Sequence, residues 1–194
     1  MNPQLIYLIV SVILAGIILL MANKSCLLKD SSSARPEPFS FSRVQITWWT
    51  WIILSAFVSI IASSGKIPDI DTSSLILLGI GSLTTVAGRL IDISDRKETA
   101  SPRMLSINQR SDGFWIDILS DKDGISIHRL QAAVFNVVFG AWFIFKSVEG
   151  IVKATASASD KTLNEIIPII SEKNLILLGL SAGTYVALKT AENK

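Results

Sequence analysis

Five stretches of the chain are apolar for long enough to be read against a bilayer, where a helix needs about 20 residues to cross the hydrocarbon core. They cover residues 4–22, 44–62, 75–91, 130–145 and 175–188. Inside the first, only Ser11 and Gly16 interrupt the apolar pattern. The second opens with Trp48, Trp49 and Trp51, which suit the headgroup level, where an indole keeps its N–H hydrated. The fourth carries Trp142 and several phenylalanines. The fifth falls short of a full span, so it reads either as a core helix or as a crossing extended by the snorkelling side chains of Lys173 and Lys189. The pattern predicts an all-α, polytopic membrane protein with about five transmembrane helices. Its segments are an anchor helix (1–23), a cytoplasmic linker (24–43), a first transmembrane hairpin (44–91), a cytoplasmic loop with a short amphipathic segment (92–128), and a second hairpin with its tail (129–194).

The first run has no basic residue before it and no small-x-small cleavage site after it, so it reads as a retained anchor and not a secretory signal. Orientation follows from the connections. Lys24, Lys29, Arg35, Arg43, Arg89, Arg96, Lys97, Arg103, Arg110, Lys122, Arg129, Lys189 and Lys194 fall on one side, against Lys66, Lys146, Lys153, Lys161 and Lys173 on the other. The positive-inside rule then places the amino terminus outside and the carboxyl terminus in the cytoplasm.

The strongest pattern is an internal duplication. Leu75-Ile76-Leu77-Leu78-Gly79 recurs unchanged as Leu175-Ile176-Leu177-Leu178-Gly179, and the match continues through Thr84 with Thr184, Val86 with Val186, Ala87 with Ala187 and Arg89 with Lys189. Upstream, Ser40, Arg43 and Gln45 reappear as Ser126, Arg129 and Gln131, each triplet opening a span. The repeat therefore covers a whole hairpin. Both copies run in the same direction, which predicts a parallel repeat about an axis along the membrane normal, with the Gly79 and Gly179 helices near that axis and Gln45 and Gln131 at matching depth. The connection around 154–168 is rich in Ala, Ser and Thr, and Ile166, Ile167, Ile169 and Ile170 are expected to rest on the lipid surface.

The paired Ser-x-x-Arg-x-Gln entries, the Trp-rich second span and the signature from Leu177 to Tyr185 resemble a group of uncharacterised bacterial integral membrane proteins that carry the same duplicated two-helix unit. The resemblance runs from about Phe39 to Lys189 and implies a bacterial inner-membrane setting, with no activity to carry over. The first copy departs from the signature where Gly81-Ser82-Leu83 stands against Ser181-Ala182-Gly183.

Composition agrees with a lipid environment: of 194 residues, 49% are hydrophobic and 18% charged, with a mean hydropathy of +0.49. A net charge of +2 gives no ground for nucleic-acid binding. One cysteine, Cys26, and one histidine, His128, exclude an internal disulfide and a closed Cys/His zinc site within one chain. No metal or cofactor is expected. Cys26 is also a juxtamembrane position where palmitoylation is chemically open.

No Asp, Glu, Lys, Arg or His stands in the middle of an apolar run, which argues against an ion-coupled transporter. Asn136 is the one amide well inside a run and is expected to form an interhelical hydrogen bond, as Gln45 and Gln131 are nearer the interface. Gly81, Thr84, Thr85 and Gly88 in one returning helix, and Gly179, Gly183 and Ala187 in the other, form small-residue faces for close helix packing, within one chain or between chains. In the loop, Phe114, Trp115, Ile118 and Leu119 share a face of a short helix, which suggests an interfacial helix leading into the fourth span, or a candidate contact for the basic loop residues or a cytoplasmic protein partner. Asp121, Asp123 and Gly124 resemble the start of a calcium loop, but Ala132 stands where a bidentate Glu is required. Asp123, Ser126 and His128 are too close in sequence to form a hydrolase triad. The expectation is a non-enzymatic inner-membrane scaffold or assembly subunit, a homo-oligomer or part of a membrane complex, that engages a partner through its loop. The alternative is an oligomeric pore lined by uncharged polar faces.

Overall fold

The computed structural model describes residues 2–30, 32, 34–98, 110–121, 124–156 and 167–192. Among the described residues six helices and one two-stranded ladder follow in order: α1 (Pro3–Lys24), α2 (Phe41–Ser64), α3 (Thr72–Glu98), α4 (Phe114–Leu119), β1 (Ser120–Asp121), β2 (Gly124–Ile125), α5 (Ile127–Ala156) and α6 (Glu172–Glu192). The helix ends obey local chemistry. Asn2 caps α1 by accepting from the Gln4 N–H at 3.1 Å, with Pro3 in the first turn where a missing N–H costs nothing. The α2 helix stops at Gly65, whose φ of 69° lets its N–H return to the Ile61 carbonyl at 2.8 Å. Asp71 opens α3, its carboxylate accepting from the Ser73 N–H at 2.7 Å.

Among the described residues four helices are long and apolar enough to cross a membrane: Pro3–Lys24, Phe41–Ser64, Thr72–Ile91 and Ile127–Lys153. The α6 helix, with 21 residues, is not one of these four. Along α1 only Ile6 and Tyr7 are buried, and Leu8, Val12, Ile13, Leu19 and Leu20 face outward. In a bilayer that surface meets lipid, and no sequence amphipathicity is needed.

The α2 helix packs against α1, α3 and α5, while α6 packs against α3 and α5, and α1 also touches α5. Around the bundle the order is α2, α3, α6, α5, with α1 lying over the groove between α2 and α5. Repeat partners are thus neighbours: α2 beside α5, and α3 beside α6. A twofold axis along the membrane normal would exchange helices across the diagonals of this ring, yet the diagonal pairs are not repeat partners. The expected pseudo-twofold is therefore corrected to a sideways displacement of one hairpin onto the other.

The repeat also extends further than the matched runs. Ile67, Pro68 and Ile70 return 100 positions later as Ile167, Pro168 and Ile170, and Asp71 returns as Ser171, which takes the same capping position by accepting from the Asn174 and Leu175 N–H groups. Ile167 and Ile170 are buried, against the expectation of a lipid-surface role, and only Ile169 among the described isoleucines of that segment is exposed. The reason is the side-by-side packing: the Ile170 N–H donates to Ser73 Oγ at 3.1 Å, pinning the start of the second returning helix to the start of the first. Ile166 and Ser157 lie outside the described residues.

Candidate functional site

At the end of the bundle where α2 and α5 begin, the residues before both helices fold into a compact cap. Within the segment expected as a linker (24–43), a β-bridge joins Lys29 and Phe39, and the Asp30 N–H donates to the Pro38 carbonyl and the Ser40 N–H to the Leu28 carbonyl, both at 2.8 Å. The β1–β2 ladder before α5 has the same construction. Ser120 pairs with Ile125, and the Ser126 N–H reaches the Leu119 carbonyl at 2.9 Å. Each entering helix is then clamped by its third residue past the serine: Arg43 donates to the Cys26 carbonyl at 3.0 Å, and Arg129 donates to the Ser120 carbonyl. The Ser-x-x-Arg motif is thus a structural latch between a short hairpin and the helix that follows it.

Asp117 joins the two halves of the cap. Its Oδ2 accepts from the Phe39 N–H at 3.0 Å and from Ser111 Oγ at 2.6 Å, and its Oδ1 accepts from the Asp112 N–H at 2.9 Å. A carboxylate that accepts three hydrogen bonds holds its donors more firmly than a neutral acceptor would. The Ser111 N–H also donates to the Pro36 carbonyl at 2.9 Å.

The apolar face expected on α4 is divided by this docking. Ile118 is buried with Phe41 and Ala132, and Phe114 and Leu119 pack against the same cluster, with the Phe114 ring edge-on to Phe39 at 5.1 Å. These three are consumed by the chain's own cap, so they are corrected from partner contacts to structural ones. The physical reason is that a six-residue helix tied through Asp117 on one side and running directly into β1 on the other has no freedom to turn its apolar face away from the bundle. Trp115 is left outside, 68% exposed, with Ile116 beside it at 51%. Ile125 and Ile127 are exposed as well.

Below the cap, α2 and α5 meet in a polar seam. The Trp49 indole donates to Asn136 Oδ1 at 2.6 Å, the Trp48 indole donates to the Asn136 carbonyl at 3.0 Å, and Asn136 Nδ2 donates to the Ala132 carbonyl at 2.7 Å. The Trp51 indole donates to the Ser11 carbonyl of α1 at 3.0 Å. The three indoles therefore satisfy their N–H groups on acceptors of neighbouring helices, so none depends on a hydrated headgroup for its partner. Gly140 makes the seam possible: a Cβ there would stand 2.5 Å from Trp48 Nε1. Asn136 makes the interhelical contact expected of it. Gln45 is buried, but its Oε1 finds no acceptor role, while Gln131 is exposed, so the two do not occupy equivalent surroundings.

The small-residue faces separate in the same way. Gly81 and Gly88 are buried, and a Cβ on Gly81 would lie 3.2 Å from the Ile46 Cβ. Thr84 is buried and bonded to the Ile80 carbonyl, and Thr85 Oγ1 lies 3.4 Å from the Ser42 carbonyl. This face closes the first hairpin on itself. In α6, Gly179 meets only the Ile80 Cδ1, at 3.7 Å, whereas Gly183 and Ala187 are exposed, and a Cβ on Gly183 would meet nothing within 4 Å. Of the Gly-x-x-x-Gly pair, only the Gly179 end approaches a neighbouring helix among the described residues. Sideways packing rotates Leu175, Leu178 and Ala182 inward instead.

Among the described residues no three His, Cys, Asp or Glu side chains gather as a metal site. Cys26 is exposed, and its thiol is pushed above its ordinary range, first by a hydrogen bond with the Glu37 carboxylate, which is itself paired with Arg35 at 2.9 Å. His128 is exposed at the start of α5, and Asp123 lies outside the described residues. Compared with known protein families, with curated proteins and with solved structures, the chain matches none.

Proposed function

We propose that this protein is a non-enzymatic membrane scaffold or assembly subunit that presents its cap to a soluble partner. The observation that carries the reading is Trp115 and Ile116, held outward on a helix whose opposite face is locked to the bundle through Ile118 and the Asp117 hydrogen bonds. A rigidly mounted, exposed aromatic and aliphatic pair is the kind of anchor that dominates protein interfaces. Uncharged interior residues support a passive role, since the described buried polar groups are Ser, Thr, Asn and Gln.

In this reading α6 is a fifth crossing, the cap lies in the cytoplasm by the excess of Lys and Arg on its side, and the amino terminus is outside. The resemblance to duplicated bacterial integral membrane proteins supports an inner-membrane location. The competing pore reading loses support from Gly183 and Ala187, which face away from the bundle instead of lining a shared interior.

A photoreactive residue placed at position 115 in cells, together with bilayer recordings of the purified protein, tests the proposal. The expected result is crosslinking to a defined soluble protein and no unitary conductance. Crosslinks to lipid alone, or reproducible channel steps, would overturn it.

A further inference from the structure

The outward apolar surface of α5 does not stop where the helix does. Ile127, Leu130, Val134 and Val138 recur at spacings of three and four, so they share one face, and all four are exposed. None of them lies on the side that α5 buries against α2, which carries Asn136, Gly140 and Phe143. Two residues before the helix face begins, Ile125 of β2 is 70% exposed, and it carries the same surface onto the hairpin. Between Ile125 and Val138 the titratable side chains are His128 and Arg129. His128 falls about 100° round the helix from Ile127, and the Arg129 guanidinium is drawn back to the Ser120 carbonyl, so neither interrupts the stripe.

The length of α5 sets the height of this surface. Its crossing stretch, Ile127–Lys153, has 27 residues and is therefore about 40 Å long. A hydrocarbon core is about 30 Å thick, and about 40–45 Å with its headgroup layers included. The first turn of α5 thus lies at headgroup depth and not in free water. The hairpin is tied to that turn by Arg129 and by the Ser126 N–H, which donates to the Leu119 carbonyl at 2.9 Å. In the first copy the positions equivalent to Ile125 and Ile127 are Phe39 and Phe41, and α4 covers both: Phe114 stands edge-on to Phe39, and Ile118 is buried with Phe41. The hairpin position is apolar in both copies, but α4 encloses only the first pair.

We infer that the β1–β2 hairpin rests on the bilayer, with Ile125 and Ile127 inserted where headgroups meet acyl chains. Lipid is the occupant by continuity: the two side chains prolong, without a charged break, the stripe that a membrane-crossing α5 turns to lipid. Interfacial elements sink their apolar side about 5–10 Å into this boundary, a depth within reach of a hairpin held to the first turn of the helix. The contact is apolar, so neutral phospholipid suffices for it. Because α4 runs directly into β1, a seated hairpin also fixes the height of α4 over the membrane plane. This inference rests on α5 lying in the membrane and not on a soluble partner at Trp115.

Ile125→Cys and Ile127→Cys, each in a Cys26→Ser background, test it when labelled with the fluorophore NBD in the full chain, reconstituted in phosphatidylcholine vesicles. Both side chains are exposed, so the label displaces no packed neighbour. A label at Val134→Cys, on the same face two turns further along α5, gives the reading in lipid, and the NBD adduct of glutathione gives the reading in water. At positions 125 and 127 the emission should shift to shorter wavelength than that of the glutathione adduct. Phospholipid carrying a nitroxide on its acyl chain should quench both labels at least half as strongly as the label at 134, and aqueous cobalt should quench them at most half as strongly as the adduct. Cobalt quenching equal to that of the adduct would show the hairpin standing in water. Protection from cobalt and nitroxide alike would show protein covering it, and either result overturns the inference.

Discussion

The Trp49 indole N–H and the Asn136 side-chain oxygen stand 2.6 Å apart across α2 and α5, with Trp49 only 2% exposed. Neither group has water to fall back on, so each depends on the other. Replacing Asn136 with Ala strands the Trp49 N–H. Interhelical hydrogen bonds in membranes are worth about 0.6 kcal/mol on average and up to ~1.7 kcal/mol, and this buried one belongs at the upper end. Asn136→Ala should lower the thermal midpoint in detergent, and adding Trp49→Phe should cost little more, because the stranded donor is then gone. Additive losses would show that the two do not act as a pair.

Glycines in this chain are unequal, and the inequality can be measured. Gly140→Ala forces a methyl into the Trp48 ring and should destabilise by roughly 1–3 kcal/mol, the range for overpacking. Gly183→Ala and Gly16→Ala place a methyl where nothing stands within 4 Å and should leave the midpoint unchanged. Reducing the obstacle with Trp48→Phe should recover part of the Gly140→Ala loss. A Gly183→Ala effect as large as that of Gly140→Ala would restore the Gly-x-x-x-Gly motif to the packed core.

How far the sequence discloses these relations depends on their range. Four of the five apolar spans, the repeated string at 75–79 and 175–179, and Asn136 as a bridging amide are legible because each is a local pattern: an apolar run, a repeated string, one polar residue in an apolar setting. The side on which two hairpins meet is not local. Leu75 and Leu175 are the same residue in the same string, and only packing makes one exposed and the other buried. Small residues at positions 179 and 183 are compatible with close approach but do not demand it, whereas Gly140, which does, has no partner glycine to mark it. The cap is not legible because its strands are two residues long and its side-chain ties, from Asp117, Arg43 and Arg129, each end on at least one backbone group, which carries no signature in the sequence.

Asp117→Ala should loosen the cap without disturbing the bundle. Hydrogen bonds to charged acceptors contribute about 1.5–3 kcal/mol each when they cannot be replaced by water, and partial exposure here places the total near the lower figure. Amide exchange at Phe39 and Asp112 should accelerate by at least tenfold while Ile52 and Phe143 stay protected. Unchanged exchange at Phe39 would remove Asp117 from its organising position.

Cys26 offers a pH-dependent readout of the same region. The thiolate is the reacting form, so a thiol raised by the Glu37 carboxylate is slow to alkylate near neutral pH. Glu37→Gln removes the negative charge, returns the thiol toward its ordinary range and should speed maleimide labelling several-fold at pH 7.5, with the midpoint of the rate-pH curve moving down. Arg35→Gln should act in the opposite direction, because that cation favours the thiolate. Identical curves for all three proteins would separate Cys26 from this cluster.

The hydrogen bond from Phe39 to Asp117 links residues 78 positions apart, one just before α2 and the other just after the segment that follows α3. Such a bond can close only when both residues lie in the same aqueous compartment, and that requires an even number of crossings between them. A chain in which α3 failed to return would leave Asp117 on the far side of the bilayer with no route to Phe39. In a chain that crosses a bilayer, closure of the cap therefore requires that α2 and α3 cross as a pair.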